Sequence, residues 1–194
     1  MRQIVIYSHP NPKSFCFAIK DRIIETLKDL GDEVIVRDLY GMNFNPVLGK
    51  TDFEALHSNT VLDDIKVEQE LISSSDVLNF VYPIWWTSMP SMMKGYIDRV
   101  FLHGFAYRID PDTGVVPLLR GKKTFIFNTM GTPNEIYEKN GMIKSLRMTS
   151  DTGIFEFCGI EVVEHLFFGA VPYIDDQQRR SMLDKVADIL RSKR

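Results

Sequence analysis

The first chemically suggestive segment is the polar stretch from Ser8 to Ser14, which runs directly into an apolar helical pattern beginning at Phe15 and Cys16. A helix start offers unpaired backbone N–H groups and a positive dipole end, so it can bind a phosphate. His9, Lys13 and Ser14 would add side-chain donors. The simpler alternative is that Ser14 only caps the helix, as serine commonly does.

The second segment is aromatic, and it carries two adjacent tryptophans between two prolines. Pro83, Ile84, Trp85, Trp86 and Thr87 follow an apolar run and precede another helical pattern. Large aromatic side chains in a loop suit a flat ligand, which they can flank while backbone groups bind its edge. Packing of both indoles in the core is the alternative.

The third segment contains small and polar residues: Thr129, Met130, Gly131 and Thr132, followed by Tyr137. Glycine allows a ligand to approach the backbone closely, and a threonine hydroxyl can bind a carbonyl at a ring edge. Taken alone, the segment is also compatible with an ordinary turn. The sequence has neither GxGxxG after its first strand nor GxxxxGK[ST] anywhere, which argues against the common dinucleotide and P-loop sites.

The elements that must position these segments alternate between strands and helices. Apolar runs without polar alternation predict buried parallel strands at Ile4–Tyr7, Val34–Val36, Val77–Tyr82, Thr124–Phe127 and Val162–Phe168. Helical spacing of apolar residues predicts helices from Phe15 to Leu30, from Met93 to Phe101, and around Leu183, Val186 and Leu190.

This alternation predicts an α/β fold, a flavodoxin-like three-layer sandwich whose five-stranded parallel sheet has the order 2-1-3-4-5, in a single domain over residues 1–194. Ligands of such sheets bind beyond the carboxyl ends of the strands, near the switch point between strands 1 and 3. The three segments all follow strands that border this crevice.

Composition narrows the class of partner. The net charge of -3 gives no broad basic field, so we expect no nucleic-acid binding. Cys16 and Cys158 have neither CxxC nor metal-site spacing, which predicts no disulfide framework and no metal site. No apolar run reaches membrane-spanning length and no leader pattern is visible, so we expect a cytoplasmic protein without an integral membrane segment.

Four stretches, in order along most of the chain, resemble the NAD(P)H:quinone reductase (DT-diaphorase-like) family and its short bacterial-type members. They are Asp38–Pro46, Pro83–Trp86, Lys94–Phe101 together with Gly104–Tyr107, and Phe157–Gly159. The resemblance implies a flavin, FAD or alternatively FMN, and NAD(P)H as co-substrate, with hydride transfer in a ping-pong cycle to a quinone or similar small acceptor.

The resemblance also implies the roles of individual residues. His9, Lys13, Ser14, Phe15 and Cys16 would bind the flavin phosphates, Pro83 to Thr87 would lie along the isoalloxazine, and Thr129 to Thr132 with Tyr137 would close its other edge. Tyr137 matches the catalytic tyrosine that stabilises the reduced ring, and Arg179 is a candidate near an adenylate. Tyr107 and Phe157 match residues of the acceptor pocket, although each is equally compatible with a place in the core.

The chain departs from the family pattern at Ile143, six residues after Tyr137, where the quinone reductases carry a histidine. A Tyr/His relay is therefore not carried over. The family likeness further implies a homodimer with sites at the subunit boundary. Two other functions stay open: a one-electron carrier of the flavodoxin type, and an ancillary regulatory subunit of a potassium-efflux system.

Overall fold

A parallel sheet runs through the centre of the protein, whose computed structural model describes residues 1–194. Its strands are β1 (Arg2–Tyr7), β2 (Glu33–Asp38), β3 (Val77–Pro83), β6 (Lys123–Thr129) and β7 (Glu161–Phe168). They are arranged β2-β1-β3-β6-β7, all neighbours parallel. The predicted strand order is confirmed; only the numbering differs, because β4 (Tyr107–Asp110) and β5 (Gly114–Pro117) form a separate antiparallel hairpin.

Helices cover both faces of the sheet. They are α1 (Phe15–Asp29), α2 (Lys50–His57), α3 (Asp63–Ser73), α4 (Ser91–Val100), α5 (Asn134–Lys139), α6 (Met142–Arg147) and α7 (Asp176–Lys193), with a π-helical segment over Met148–Glu156. The three helices predicted from apolar spacing are α1, α4 and α7. None of the helices combines the length and the hydropathy that a membrane-spanning segment needs.

Alternate residues of the strands feed two separate apolar cores. On one face, Ile4, Ile6 and Phe80 pack with residues of α3, α4 and the π-helical segment. On the other face, Val5 and Val81 pack with residues of α1 and α7. Because both faces are covered, the strands read as continuous apolar runs in the sequence, and all of β3 is buried.

One buried arginine ties α3, and the segment between β2 and α3, to α4. Arg99 is 2% exposed, and its guanidinium lies 2.7 Å from the carboxylate of Asp52 and 2.8 Å from that of Asp64. The same segment packs tightly on α4 at Gly95, where an added Cβ would lie 2.1 Å from the Pro46 carbonyl oxygen. These contacts fix α4, and with it the aromatic loop that precedes it.

Candidate functional site

The loop after β1 folds so that the start of α1 faces the carboxyl edge of the sheet. The backbone N–H of Asn11 donates to His9 Nδ1 at 3.0 Å, and that of Lys13 donates to Asn11 Oδ1 at 2.9 Å. Ser14 caps α1 by accepting from the Phe17 N–H at 3.2 Å. The capping role is thus confirmed, and it leaves the earlier N–H groups of the first turn without helical partners.

The aromatic loop makes a tight turn from Trp85 to Ser88. These two residues exchange backbone hydrogen bonds of 3.1 Å, and Trp86 and Thr87 between them have φ angles of 49° and 55°. The left-handed region is costly for residues with a Cβ. The side chain of Trp86 is 99% exposed and that of Trp85 is 41% exposed, so the alternative in which the core buries both indoles is wrong.

The glycine loop after β6 leaves open space beside its backbone. An added Cβ on Gly131 would meet no atom within 4 Å, although φ there is not in the left-handed region. The Thr129 hydroxyl lies 3.0 Å from Cys16 Sγ, so these two side chains bind one another below the loop. Burial raises the pKa of the Cys16 thiol to about 12.

The three loops meet around one cleft of about 200 Å³. Its lining residues are His9, Ser14, Phe15, Pro83, Ile84, Trp85, Thr129, Met130, Gly131, Val171 and Pro172. Sequence reasoning missed Val171 and Pro172, which follow β7. The signal was present, because the loop after the last parallel strand must leave the sheet at the same edge as the other three.

A second cleft of about 260 Å³ adjoins the first at His9 and lies between the ends of β1 and β2. It is lined by Tyr7, His9, Pro10, Pro12, Phe17, Asp38, Tyr40 and Gly41. Burial lowers the pKa of His9, whose ring packs edge-on against Trp85 with centroids 5.6 Å apart. His9 is therefore neutral at pH 7, and because its Nδ1 accepts from the Asn11 N–H, its Nε2 N–H is the group that it offers between the clefts.

Several predicted site residues do not line the first cleft. Lys13, Trp86 and Thr87 are exposed near its rim, Tyr137 is half-buried on α5, and Ile143 is half-buried on α6. Tyr107 and Phe157 contact each other, with ring centroids 5.1 Å apart, and line neither cleft. The side chain of Arg179 reaches the wall of the first cleft, where it donates to the Val171 carbonyl at 3.1 Å.

The parallel sheet and its edge cleft define an α/β protein of the flavodoxin-like class, and comparison with known proteins agrees. The chain belongs to the family described as having the flavodoxin-like fold, whose model matches residues 1–190.

Two curated relatives are oxidoreductases by name. The chain is 38% identical over 194 residues to an uncharacterized NAD(P)H oxidoreductase of Haemophilus influenzae, covering 100% of this chain and 96% of that protein. It is 30% identical over 211 residues to the ribosyldihydronicotinamide dehydrogenase [quinone] of Mus musculus, covering 97% and 90%.

A solved structure shares the fold over the whole length. The NAD(P)H:quinone oxidoreductase of Methanothermobacter marburgensis superposes with a TM-score of 0.88 at 26% identity, covering 99% of this chain and 98% of that one. The resemblance predicted from the four sequence stretches is confirmed, and so is the enzyme class, an oxidoreductase of the NAD(P)H dehydrogenase (quinone) type.

Proposed function

We propose that the protein is a flavin-dependent NAD(P)H oxidoreductase that passes two electrons to a quinone or similar small acceptor in a ping-pong cycle. The observation that carries the proposal is the meeting of a helix start, an exposed tryptophan turn and an open glycine backbone at one cleft. Each feature suits a different part of a flavin: its phosphate, the face of its ring and the edge of its ring.

The residues present fit such a group. The Ser8 hydroxyl at the end of β1 is buried without a hydrogen-bond partner, next to the loop that leads to α1. The space beside Gly131 is free for a ring edge. When bound, the flavin supplies hydride acceptance and release. The chain itself would hold the phosphate at Ser14 and Phe15, orient the ring with the Trp85–Ser88 turn, and shield it with Met130.

The proposed site is tested by comparing the flavin affinities of two glycine variants. Gly131→Val fills the space beside the glycine loop, and we expect it to weaken binding of FAD and FMN at least tenfold without changing the stability of the flavin-free protein. Gly49→Val is the matched control, because Gly49 caps α2 in an extended conformation and its added Cβ has only ordinary contacts. Equal flavin affinity in the two variants would contradict the proposed site.

The activity is tested by adding NADPH or NADH with menadione to the flavin-loaded protein. We expect nucleotide oxidation whose double-reciprocal plots give parallel lines, because the oxidised nucleotide would leave the site before the acceptor enters it. A loaded protein that oxidises neither nucleotide would overturn the function. Titration with FAD and FMN in turn identifies the cofactor; we favour FAD on the family resemblance.

We also propose that the working form is a homodimer in the cytoplasm. Large apolar side chains lie exposed near the strand ends, among them Trp86 at 99% and Tyr173 at 82%, and a partner subunit would cover such groups. Two free cysteines are compatible with a reducing compartment. A monomeric mass in light scattering, with activity intact, would contradict the dimer.

A further inference from the structure

A buried histidine on β7 joins two other elements behind the candidate flavin site. His165 is 2% exposed; its Nδ1 lies 2.7 Å from Asp151 Oδ1 in the π-helical segment, and its Nε2 lies 2.6 Å from Asn128 Oδ1 on β6. Asp151 and Asn128 are themselves buried. The cluster plays no part in the phosphate or ring contacts described above.

The hydrogen bonds around this histidine require an extra proton. The Asn128 amide donates through Nδ2 to the Tyr82 carbonyl at 3.1 Å, so its oxygen is the atom that faces His165. Asp151 Oδ1 faces Nδ1, and it also lies 2.6 Å from the Ser150 hydroxyl, whose single hydrogen is shared with the Leu146 carbonyl at 2.9 Å. Both ring nitrogens thus face acceptors, while a neutral imidazole carries only one N–H. Nε2 must hold one proton, and a second must lie between Nδ1 and the Asp151 carboxylate.

A cavity connects this pair to the aromatic loop. The cavity has a volume of about 190 Å³, and His165 and Asn128 line one side of it while Ile84 and Ser88 of the aromatic loop line another. At roughly 30 Å³ per molecule it has room for about six waters. Hydroxyls of Thr149 and Ser150 in its wall supply further hydrogen-bond partners. Water in the cavity can therefore carry a proton from the pair to the aromatic loop, whose Ile84 also lines the first cleft.

The surrounding charges favour release as well as storage of the extra proton. Burial is the larger effect and lowers the pKa of His165 despite the opposing hydrogen bond to Asp151, so the extra proton is readily released. Arg147 stabilises the Asp151 carboxylate from 3.6 Å and donates to the His165 carbonyl at 2.7 Å. The charged and titratable side chains facing the pair or its cavity from neighbouring elements are Arg147, Glu164, Lys94 and Tyr82.

We propose that His165, positioned by Asp151 and Asn128, stores the proton that acceptor reduction consumes. This inference rests on the proposed function. A quinone that becomes a hydroquinone gains two electrons and two protons. The reduced nicotinamide supplies the electron pair and one proton as a hydride and leaves oxidised. The second proton passes from the His165–Asp151 pair through cavity water to the acceptor oxygen, and solvent then reprotonates the pair.

The protonation state is tested by ¹⁵N NMR of the ring nitrogens in the purified full-length chain at pH 7. We expect Nε2 of His165 to carry a hydrogen, and its signals to be identified by their loss in His165→Gln. An imidazole with hydrogen on Nδ1 alone and a lone pair on Nε2 would overturn the proposal. This measurement does not depend on activity, so it tests the protonation state of the His165–Asp151 pair even if the proposed function is wrong.

The role in turnover is tested on the flavin-loaded enzyme by measuring its two half-reactions separately. We expect His165→Gln and Asp151→Asn to slow oxidation of the reduced enzyme by quinone at least tenfold, to remove its pH dependence and to lower its solvent isotope effect, with reduction by NADPH unchanged. Exposed His57 provides the control, and His57→Gln should change none of these. A normal rate and pH profile in both variants overturns the proton role, whereas a wild-type enzyme inactive with NAD(P)H overturns the function itself.

Discussion

At the scale of single residues, buried polar groups join segments that are distant in the chain. Glu68 accepts from Arg37 at 3.0 Å and from the Tyr96 hydroxyl at 3.1 Å, and His165 joins β6 to the π-helical segment. The sequence did not predict these pairs, because hydrophobic periodicity and composition do not indicate which polar side chains from different elements bind each other. His165 lay inside a strand that was correctly predicted, yet nothing in its neighbours indicated its partners.

Asp32 gives a pH-dependent prediction at the same scale. Burial by itself raises the pKa of Asp32, but hydrogen bonds from the N-terminal amine at 2.8 Å, Arg194 at 2.8 Å and Gln3 at 2.6 Å lower it below its ordinary 3.8. A lowered pKa in the folded state means that the carboxylate stabilises the fold fully above about pH 4, and that this stability is lost as the pH falls through the folded-state pKa.

We therefore expect Asp32→Asn to lower the free energy of unfolding at pH 7, with the difference from wild type shrinking below pH 3.8. Urea denaturation across this range measures it. Asp188→Asn, at a side chain 76% exposed, serves as control and should change stability by less than about 0.5 kcal/mol. A difference that persists unchanged at acid pH would contradict the assignment.

At the scale of elements, the parts that could be predicted are those that a periodic burial pattern defines. All five strands of the sheet, with α1, α4 and α7, follow from apolar runs and helical spacing. The β4–β5 hairpin was missed because its strands are only 4 residues each and contain no buried residue, so they have no continuous apolar run. The π-helical segment was missed because its hydrogen-bond spacing differs from that of an α-helix, whose 3.6-residue period is the one that apolar spacing indicates.

The Trp85–Ser88 turn supplies a prediction about strain. Its central residues both lie in the left-handed region, which glycine occupies without the Cβ penalty. We expect Thr87→Gly to raise the free energy of unfolding by about 1 kcal/mol, measured by urea denaturation of the flavin-free protein. Ser88→Gly, at a residue outside the left-handed region, should lower it instead. Destabilisation by both substitutions would show that the turn is not strained.

At the scale of the whole molecule, cofactor binding should appear as thermal stabilisation. A ligand at one hundred times its dissociation constant stabilises the folded state by about 2.7 kcal/mol. For a chain of 194 residues this corresponds to a rise in Tm of roughly 5 to 10 °C. We expect this rise with FAD or FMN in differential scanning fluorimetry, and a much smaller one for Gly131→Val. Equal rises in Tm for wild type and Gly131→Val would show that the flavin does not bind in this cleft.

The location of the two thiols matters for the proposed reduction of quinones, because quinones are electrophiles that alkylate thiolates. Burial raises the pKa of Cys16 to about 12 and that of Cys158 to about 11, and both sulfurs lie in the cores. Neither forms a thiolate at neutral pH, so the folded protein should resist arylation by the proposed quinone acceptor. A thiol reagent such as DTNB should react with the native protein only at the rate of unfolding, and denaturation should release both groups at once.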